Sequence, residues 1–122
     1  MNKIRAAIII LLVSISSFAQ RELGVRPTAT GGPLMFEQAA FDVKNYDITL
    51  GVDPRAKSIT GTTVMIARTV IPTNVIVLDL DTPYTITKLT ESGRDVKFEH
   101  KEGKIWIWFP ATKQVGEEIK TS

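Results

Sequence analysis

Short segments in which apolar and polar residues alternate, separated by turn residues, constrain the fold of this chain most strongly. The clearest segment carries an apolar side chain at every second position: Tyr46, Ile48, Leu50 and Val52. This spacing points successive side chains to opposite faces of a strand. Asp53 and Pro54 then predict a turn, because Asp suits its first position and Pro fixes the backbone at the second. The sequence therefore predicts a hairpin that returns through residues 58–70 and bends near Gly61.

Four further strands are predicted downstream, at residues 75–80, 84–90, 96–98 and 105–109. The run 75–80 is apolar except for Asp79, which is typical of a strand buried on both faces and predicts the central strand. Turn residues at 91–94 and 101–104 separate the later strands. Six strands at short intervals, with no helix following the leader, predict an all-β fold, either an antiparallel β-sandwich or a saddle-like sheet.

The first 19 residues have the pattern of a secretory signal peptide. Lys3 and Arg5 precede an apolar run at residues 6–18, and a small-x-small cleavage site ends at Ala19. The run is shorter than the roughly 20 apolar residues that cross a bilayer. We therefore expect a helical signal peptide, residues 1–19, that is cleaved after Ala19. The product would be secreted or periplasmic and would have no permanent membrane anchor.

Two segments are expected after the signal peptide. Residues 20–39 contain several Pro and Gly and predict a flexible leader, and residues 40–122 form the predicted β domain. The last residues, 116–122, have the pattern of a strand that has only begun. We therefore expect a domain that is incomplete at the C-terminus.

Charge and cysteine content exclude several classes of protein. Lys and Arg number 15 and Asp and Glu number 13, so loss of Lys3 and Arg5 leaves a formal charge of zero. Nucleic-acid binding, which needs clustered cations, is not expected. The chain has no cysteine, so its fold must depend on apolar packing and strand pairing without disulfides.

The titratable residues predict no catalytic or metal-binding centre. His100 is the one histidine, and without a partner at useful spacing it is interpreted as a solvated hairpin residue. Asp79 and Asp81 leave the same strand face, but a calcium site needs more oxygen ligands, so they are interpreted as a solvated strand end. No serine lies in a Gly-x-Ser-x-Gly turn. We therefore expect no catalytic residue, cofactor or metal in this chain.

Two tryptophans form the candidate interface. Trp106 and Trp108 share one face of the predicted strand 105–109, whereas Ile105 and Ile107 share the other face and are expected in the core. The indoles could stack on sugar rings, but packing beneath a neighbouring loop or domain is favoured. The same region carries a mixed-charge hairpin, expected to be a solvated edge, with Lys97, Glu99, Lys101, Glu102 and Lys104.

Three segments in order resemble the start of the aminopeptidase N family of zinc metallopeptidases: residues 46–54 (YDITLGVDP), 59–64 (ITGTTV) and 76–80 (IVLDL). The likeness extends over roughly residues 40–122. In that family such strands open an all-β amino-terminal domain. Family chemistry depends on a His-Glu-x-x-His motif and a later Glu that bind zinc, and neither that motif nor the residues that recognise a substrate's amino terminus fall within this sequence.

The resemblance implies a non-catalytic fragment. Its partner would be a catalytic domain outside this chain, which would hold the zinc and bind the peptide substrate, and the fragment would supply a wall for that domain. An isolated fragment of this kind is expected to be marginally stable or self-associating. The alternative is a stand-alone secreted binding module that uses Trp106 and Trp108 to hold a glycan or a protein.

Overall fold

The computed structural model describes residues 34–122, which form one helical turn and eight strands. The elements are α1 (Phe36–Ala39), β1 (Phe41–Asp53), β2 (Ser58–Thr69), β3 (Thr73–Asp79), β4 (Thr90–Glu91), β5 (Arg94–Asp95), β6 (Lys97–Lys101), β7 (Lys104–Lys113) and β8 (Glu118–Thr121). The all-β prediction is confirmed for the described chain. The predicted signal peptide and most of the predicted leader lie outside the described residues, and the final residues of that leader form α1.

The strands form two antiparallel sheets. The five-stranded sheet has the order β1-β2-β8-β4-β5 and the three-stranded sheet the order β3-β7-β6. Side chains from both sheets meet in one core cluster: Met65, Ala67, Ile76, Leu89, Ile105, Ile107, Phe109 and Ile119. Between residues 34 and 122, no helix has the length and apolar character needed to cross a membrane.

The central strand of the three-stranded sheet is β7, so the prediction that residues 75–80 form a central strand is wrong. That run lies in β3, at the edge of the sheet, and pairs only with β7 within the described chain. Ile76 and Val77 nevertheless point to opposite faces and are both buried. The apolar run therefore reflects cover on both faces, to which α1 contributes by packing against β3, and gives no information about pairing at the strand's two edges.

The predicted β1–β2 hairpin is confirmed, and its turn is held as the sequence indicates. The Asp53 carboxylate accepts hydrogen bonds from the backbone N–H groups of Arg55 and Ala56, at 2.9 and 3.0 Å. The register shifts between Val43 and Asn45, so Lys44 is an additional residue in β1. This bulge moves the inward face from odd to even positions.

Gly61 lies where the two hairpin strands approach closely, and the register of β2 shows no shift at that residue. A Cβ at position 61 would lie 2.5 Å from the carbonyl oxygen of Thr49 and 2.7 Å from a methyl group of Leu50. Real Cβ atoms do not approach other atoms so closely. The neighbouring strand therefore explains why glycine occupies position 61, because a larger residue would fit only if the strands moved apart.

The predicted strand at residues 84–90 is wrong. Only Thr90 of that segment belongs to a strand, β4, and the rest is an irregular connection. The segment leaves β3 in one sheet and enters β4 in the other, so it crosses between the sheets and cannot remain in either ladder. Two of its apolar residues instead contribute to the core, where Leu89 is buried and Ile86 packs against the cluster.

The last segment forms a strand with partners on both sides. β8 pairs with β2 through Met65–Arg68 and with β4 through Glu91, and the N–H of Ser122 donates to the carbonyl of Thr90 at 3.0 Å. Ile119 is fully buried and anchors the strand in the core. Within the described chain, the apolar residue of this strand and its backbone groups are therefore both used inside the sheet.

Candidate interaction surfaces

The two tryptophans lie side by side on the outer face of the three-stranded sheet. The ring centroids of Trp106 and Trp108 are 6.4 Å apart and the ring planes differ by 18°, an offset stacked arrangement. They project from β7 away from Ile105 and Ile107, which are buried in the core. The predicted division of this strand into an indole face and a core face is confirmed.

Neighbouring strands flank both rings, and each indole is half-buried. Val77 lies opposite Trp106 and Val75 lies opposite Trp108 on β3, and Lys97 lies opposite Trp108 on β6. The Lys97 ammonium is 5.3 Å from the Trp108 ring centroid, a cation–π contact. The lysine therefore covers part of Trp108, and a flat ligand would have to displace it or bind beside it.

Asp79 is the centre of a polar cluster on the same outer face. Its carboxylate accepts a 2.7 Å hydrogen bond from the Lys104 ammonium and two 3.3 Å hydrogen bonds from the side-chain amide of Gln38. Asp81 lies apart from this cluster and accepts the backbone N–H of Thr82. The structure therefore does not bring Asp79 and Asp81 together as ligands. It gives Asp79 a structural role that ties α1, β3 and β7.

Lys104 and His100 are less solvated than the sequence predicts. The Lys104 side chain is 11% exposed and forms the ion pair with Asp79, so its assignment to a solvated mixed-charge edge is wrong. His100 directs Nε2 to the carbonyl oxygen of Leu80 at 2.9 Å, which joins the ends of β6 and β3. Sequence reasoning missed both contacts because each depends on strand pairing between residues distant in the chain.

A second ion pair joins the two sheets. The Lys113 ammonium on β7 donates to Glu91 on β4 at 3.0 Å, and the two side chains are 21% and 16% exposed. Lys113 also lies 5.3 Å above the ring of Phe109. In residues 34–122 no group of three or more His, Asp or Glu side chains is arranged to hold a metal ion.

Five exposed large apolar side chains share the inward-pointing face of the β1–β2 hairpin beyond the core. We call it the hairpin face, and it consists of Tyr46, Ile48, Leu50, Val52 and Ile59. These side chains are between 51% and 65% exposed. The face continues directly into the core, because Tyr46 lies opposite Met65, which is buried.

Tyr46 lies at the border between the hairpin face and the core. Partial burial, and to a lesser degree the negative charge of Asp79, raise the pKa of its phenol above the ordinary value. The neutral phenol is therefore favoured in the folded chain.

The alternation at residues 46–52 predicts that these side chains form an apolar face. It does not predict that the rest of the described chain leaves that face exposed.

Comparison with known proteins adds no functional assignment: no family model matches the chain, and no curated protein or solved structure shows significant similarity to it.

Proposed function

We propose that this chain is the exported amino-terminal β domain of a zinc aminopeptidase-like protein, and that its role is to pack against a catalytic domain outside the chain. Its two sheets would form the β-sandwich or saddle-like unit of such a domain. The observation that carries the proposal is the hairpin face, a contiguous apolar surface that extends the core into solvent. The ordered segments 46–54, 59–64 and 76–80 supply the family resemblance.

The hairpin face has the properties of a contact surface between domains. Scattered exposed apolar residues are ordinary, but contiguous ones mark interaction sites. Burying a side chain of the size of Leu50 contributes about 1.5–3 kcal/mol. Docking a catalytic domain on this face would therefore stabilise both the hairpin and the junction.

The proposal assigns the chemistry to the partner. A catalytic domain with a His-Glu-x-x-His motif and a later Glu would bind zinc, which activates a water for attack on the peptide bond. The peptide substrate would also bind there. Residues 40–122 would contribute a rigid wall, export would follow from residues 1–19, and the protein would act in the periplasm or outside the cell.

The nucleotide sequence after the codon for Ser122 tests this proposal directly. We expect the reading frame to continue into a segment that encodes His-Glu-x-x-His. The purified chain, supplied with zinc and an aminoacyl-anilide substrate, should give no turnover. Chelator-sensitive hydrolysis by this chain alone would contradict the assignment of chemistry to another domain.

Surface variants test the packing role in the continuous protein. Ile48→Asp combined with Leu50→Asp should loosen the junction, because two carboxylates would be desolvated against apolar partners. The matched control, Thr60→Asp with Thr62→Asp, changes exposed residues on the opposite face of the same hairpin. Protease cleavage between the domains should accelerate only in the first variant.

Stacking of Trp106 and Trp108 favours a second candidate function, a stand-alone module that binds a glycan or a protein. Two offset parallel indoles at 6.4 Å can present ring faces to a sugar. These are the only two tryptophans in the chain, so intrinsic fluorescence reports on the site without labelling. A saturable shift on adding oligosaccharides, abolished by Trp108→Ala, would support this function over the packing role.

A further inference from the structure

The outer edge of β1 borders the hairpin face and offers backbone groups in addition to side chains. β1 contains 13 residues and is the first strand of its sheet, paired only with β2 in the described part of the chain. An edge strand presents a row of backbone N–H and C=O groups that another strand can pair with. The length of β1 makes this edge a template for strand addition.

We propose that β1 pairs with β1 of a second copy of this chain, antiparallel and centred on Thr49. The segment of β1 that can pair without interruption is bounded by the bulge at Lys44 and by Pro54 at the turn. Bulges and prolines both terminate pairing. Residues 45–53 remain between them, and Thr49 is the midpoint of that segment.

The side-chain pattern is self-complementary in this register. With Thr49 opposite its own copy, Ile48 lies opposite the second copy's Leu50, and Tyr46 lies opposite the second copy's Val52. Apolar side chains therefore meet on one face, in the cross-strand pairs that stabilise sheets. A two-fold axis at Thr49 forms each of these pairs twice, as a symmetric dimer interface requires.

Like charges and the bulge together disfavour the neighbouring registers. Centred on Thr49, Asp47 lies opposite Gly51 and Asp53 lies opposite Asn45, so no two charges of like sign are paired. Centring on Asp47 would place two aspartates together, and centring on Leu50 would pair Asp47 with Asp53 twice. Centring on Ile48 would pair Asp53 with Val43, across the bulge. Like charges directly opposite one another destabilise a sheet.

Single-cysteine variants of the full chain test the register, because the natural sequence contains no cysteine. In the proposed dimer the two copies of Thr49→Cys lie directly opposite each other, at a separation that a disulfide can bridge. The matched control is Thr62→Cys, which is exposed on the same face of the hairpin but lies on β2. At about 10 micromolar chain and under mild oxidation, Thr49→Cys should cross-link about 10²-fold faster, since pairing raises the effective thiol concentration to about 1 millimolar.

A charge variant tests the same axis without oxidation. Thr49→Lys places two ammonium groups opposite each other and should weaken dimerisation about tenfold, measured by sedimentation, whereas Thr62→Lys should leave it unchanged. Circular dichroism verifies that each variant keeps its strands. A chain that remains monomeric at all concentrations, equal cross-linking at positions 49 and 62, or faster cross-linking by Ile48→Cys would each overturn the proposal. The result does not depend on a catalytic partner, because every measurement is made on this chain alone.

Discussion

Side chains alternate in the same way in the hairpin tip, residues 48–63, and in the three-stranded sheet, but the environments of the two regions are opposite. At the tip, Ile48 and Leu50 point along the inward face and are more than half exposed. In the three-stranded sheet, Ile105 and Ile107 are also spaced two apart and are buried. The difference lies in the layer above each face, since the second sheet covers the hairpin's base and does not extend over its tip.

An alternating sequence pattern bears on two separate properties of a strand: which side chains share a face, and whether that face is buried. Alternation determines which side chains share a face, and it does so correctly in both regions. Burial depends on whether a second layer reaches that face, which is a property of the tertiary arrangement. The tip therefore resembles one half of an interface, whereas the three-stranded sheet contributes to a finished core.

Truncating one aliphatic side chain to alanine in each region should give the largest difference in stability. Ile107→Ala removes a fully buried side chain and should lower the free energy of unfolding by about 2–5 kcal/mol. Leu50→Ala removes an exposed side chain and should change it by less than about 0.5 kcal/mol. Urea denaturation of both variants measures the difference. Similar losses would show that the tip is covered in solution.

Glycine substitutions in the tip should have a smaller effect on stability, and they test how closely the two hairpin strands approach each other. Gly61→Ala places a methyl group 2.5 Å from the backbone oxygen of Thr49 and should destabilise the chain by about 1–3 kcal/mol. Gly51→Ala is the matched control, because the nearest neighbour of its Cβ would be the Thr60 side-chain oxygen at 3.1 Å, and that side chain can move. Thermal melts distinguish them, and an equal cost for both would refute the close approach at Gly61.

Loss of an ion pair on the outer face of the three-stranded sheet should have the next largest effect on stability. Asp79→Ala leaves the mostly buried Lys104 ammonium without its partner and should cost about 1–2 kcal/mol. Glu99→Ala removes the partner of Lys101, and that pair is half exposed, so its loss should cost about 0–1 kcal/mol. Denaturation at low and high salt measures both effects. If the two variants lose the same stability, burial does not distinguish these ion pairs.

Local chemistry explains which parts of the fold the sequence predicts. The β1–β2 turn follows from Asp53 and Pro54, and the later turns place Gly93 and Gly103 in left-handed conformations with φ of 81° and 73°. Non-local pairing explains the failures. An apolar run such as residues 75–80 is compatible with an edge strand and with a central strand. Lys104 is charged and is therefore expected in solvent, because the sequence does not show that it pairs with Asp79.

The candidate surfaces were predictable to different degrees for the same reason. The shared face of Trp106 and Trp108 follows from their spacing on one strand. The Lys97 contact with Trp108 requires the register between β6 and β7, which is set by the turn at residues 101–104. The exposure of the hairpin face was not predictable, because it depends on where the other sheet ends.

The smallest effect expected is a pH dependence at Tyr46, where the buried base and the exposed tip meet. Because burial and Asp79 raise the pKa of its phenol in the folded chain, folding holds this proton more tightly than the unfolded chain does. The resulting stability is complete below the unfolded pKa, near 10, and is lost as pH rises through the higher folded value. Tyr46→Phe cannot ionise, so its stability relative to the natural chain should increase between pH 9 and pH 11, as measured by urea denaturation. A constant difference across that range would mean that Tyr46 is as solvated as the residues at the tip, and the border of the core would then lie at Met65.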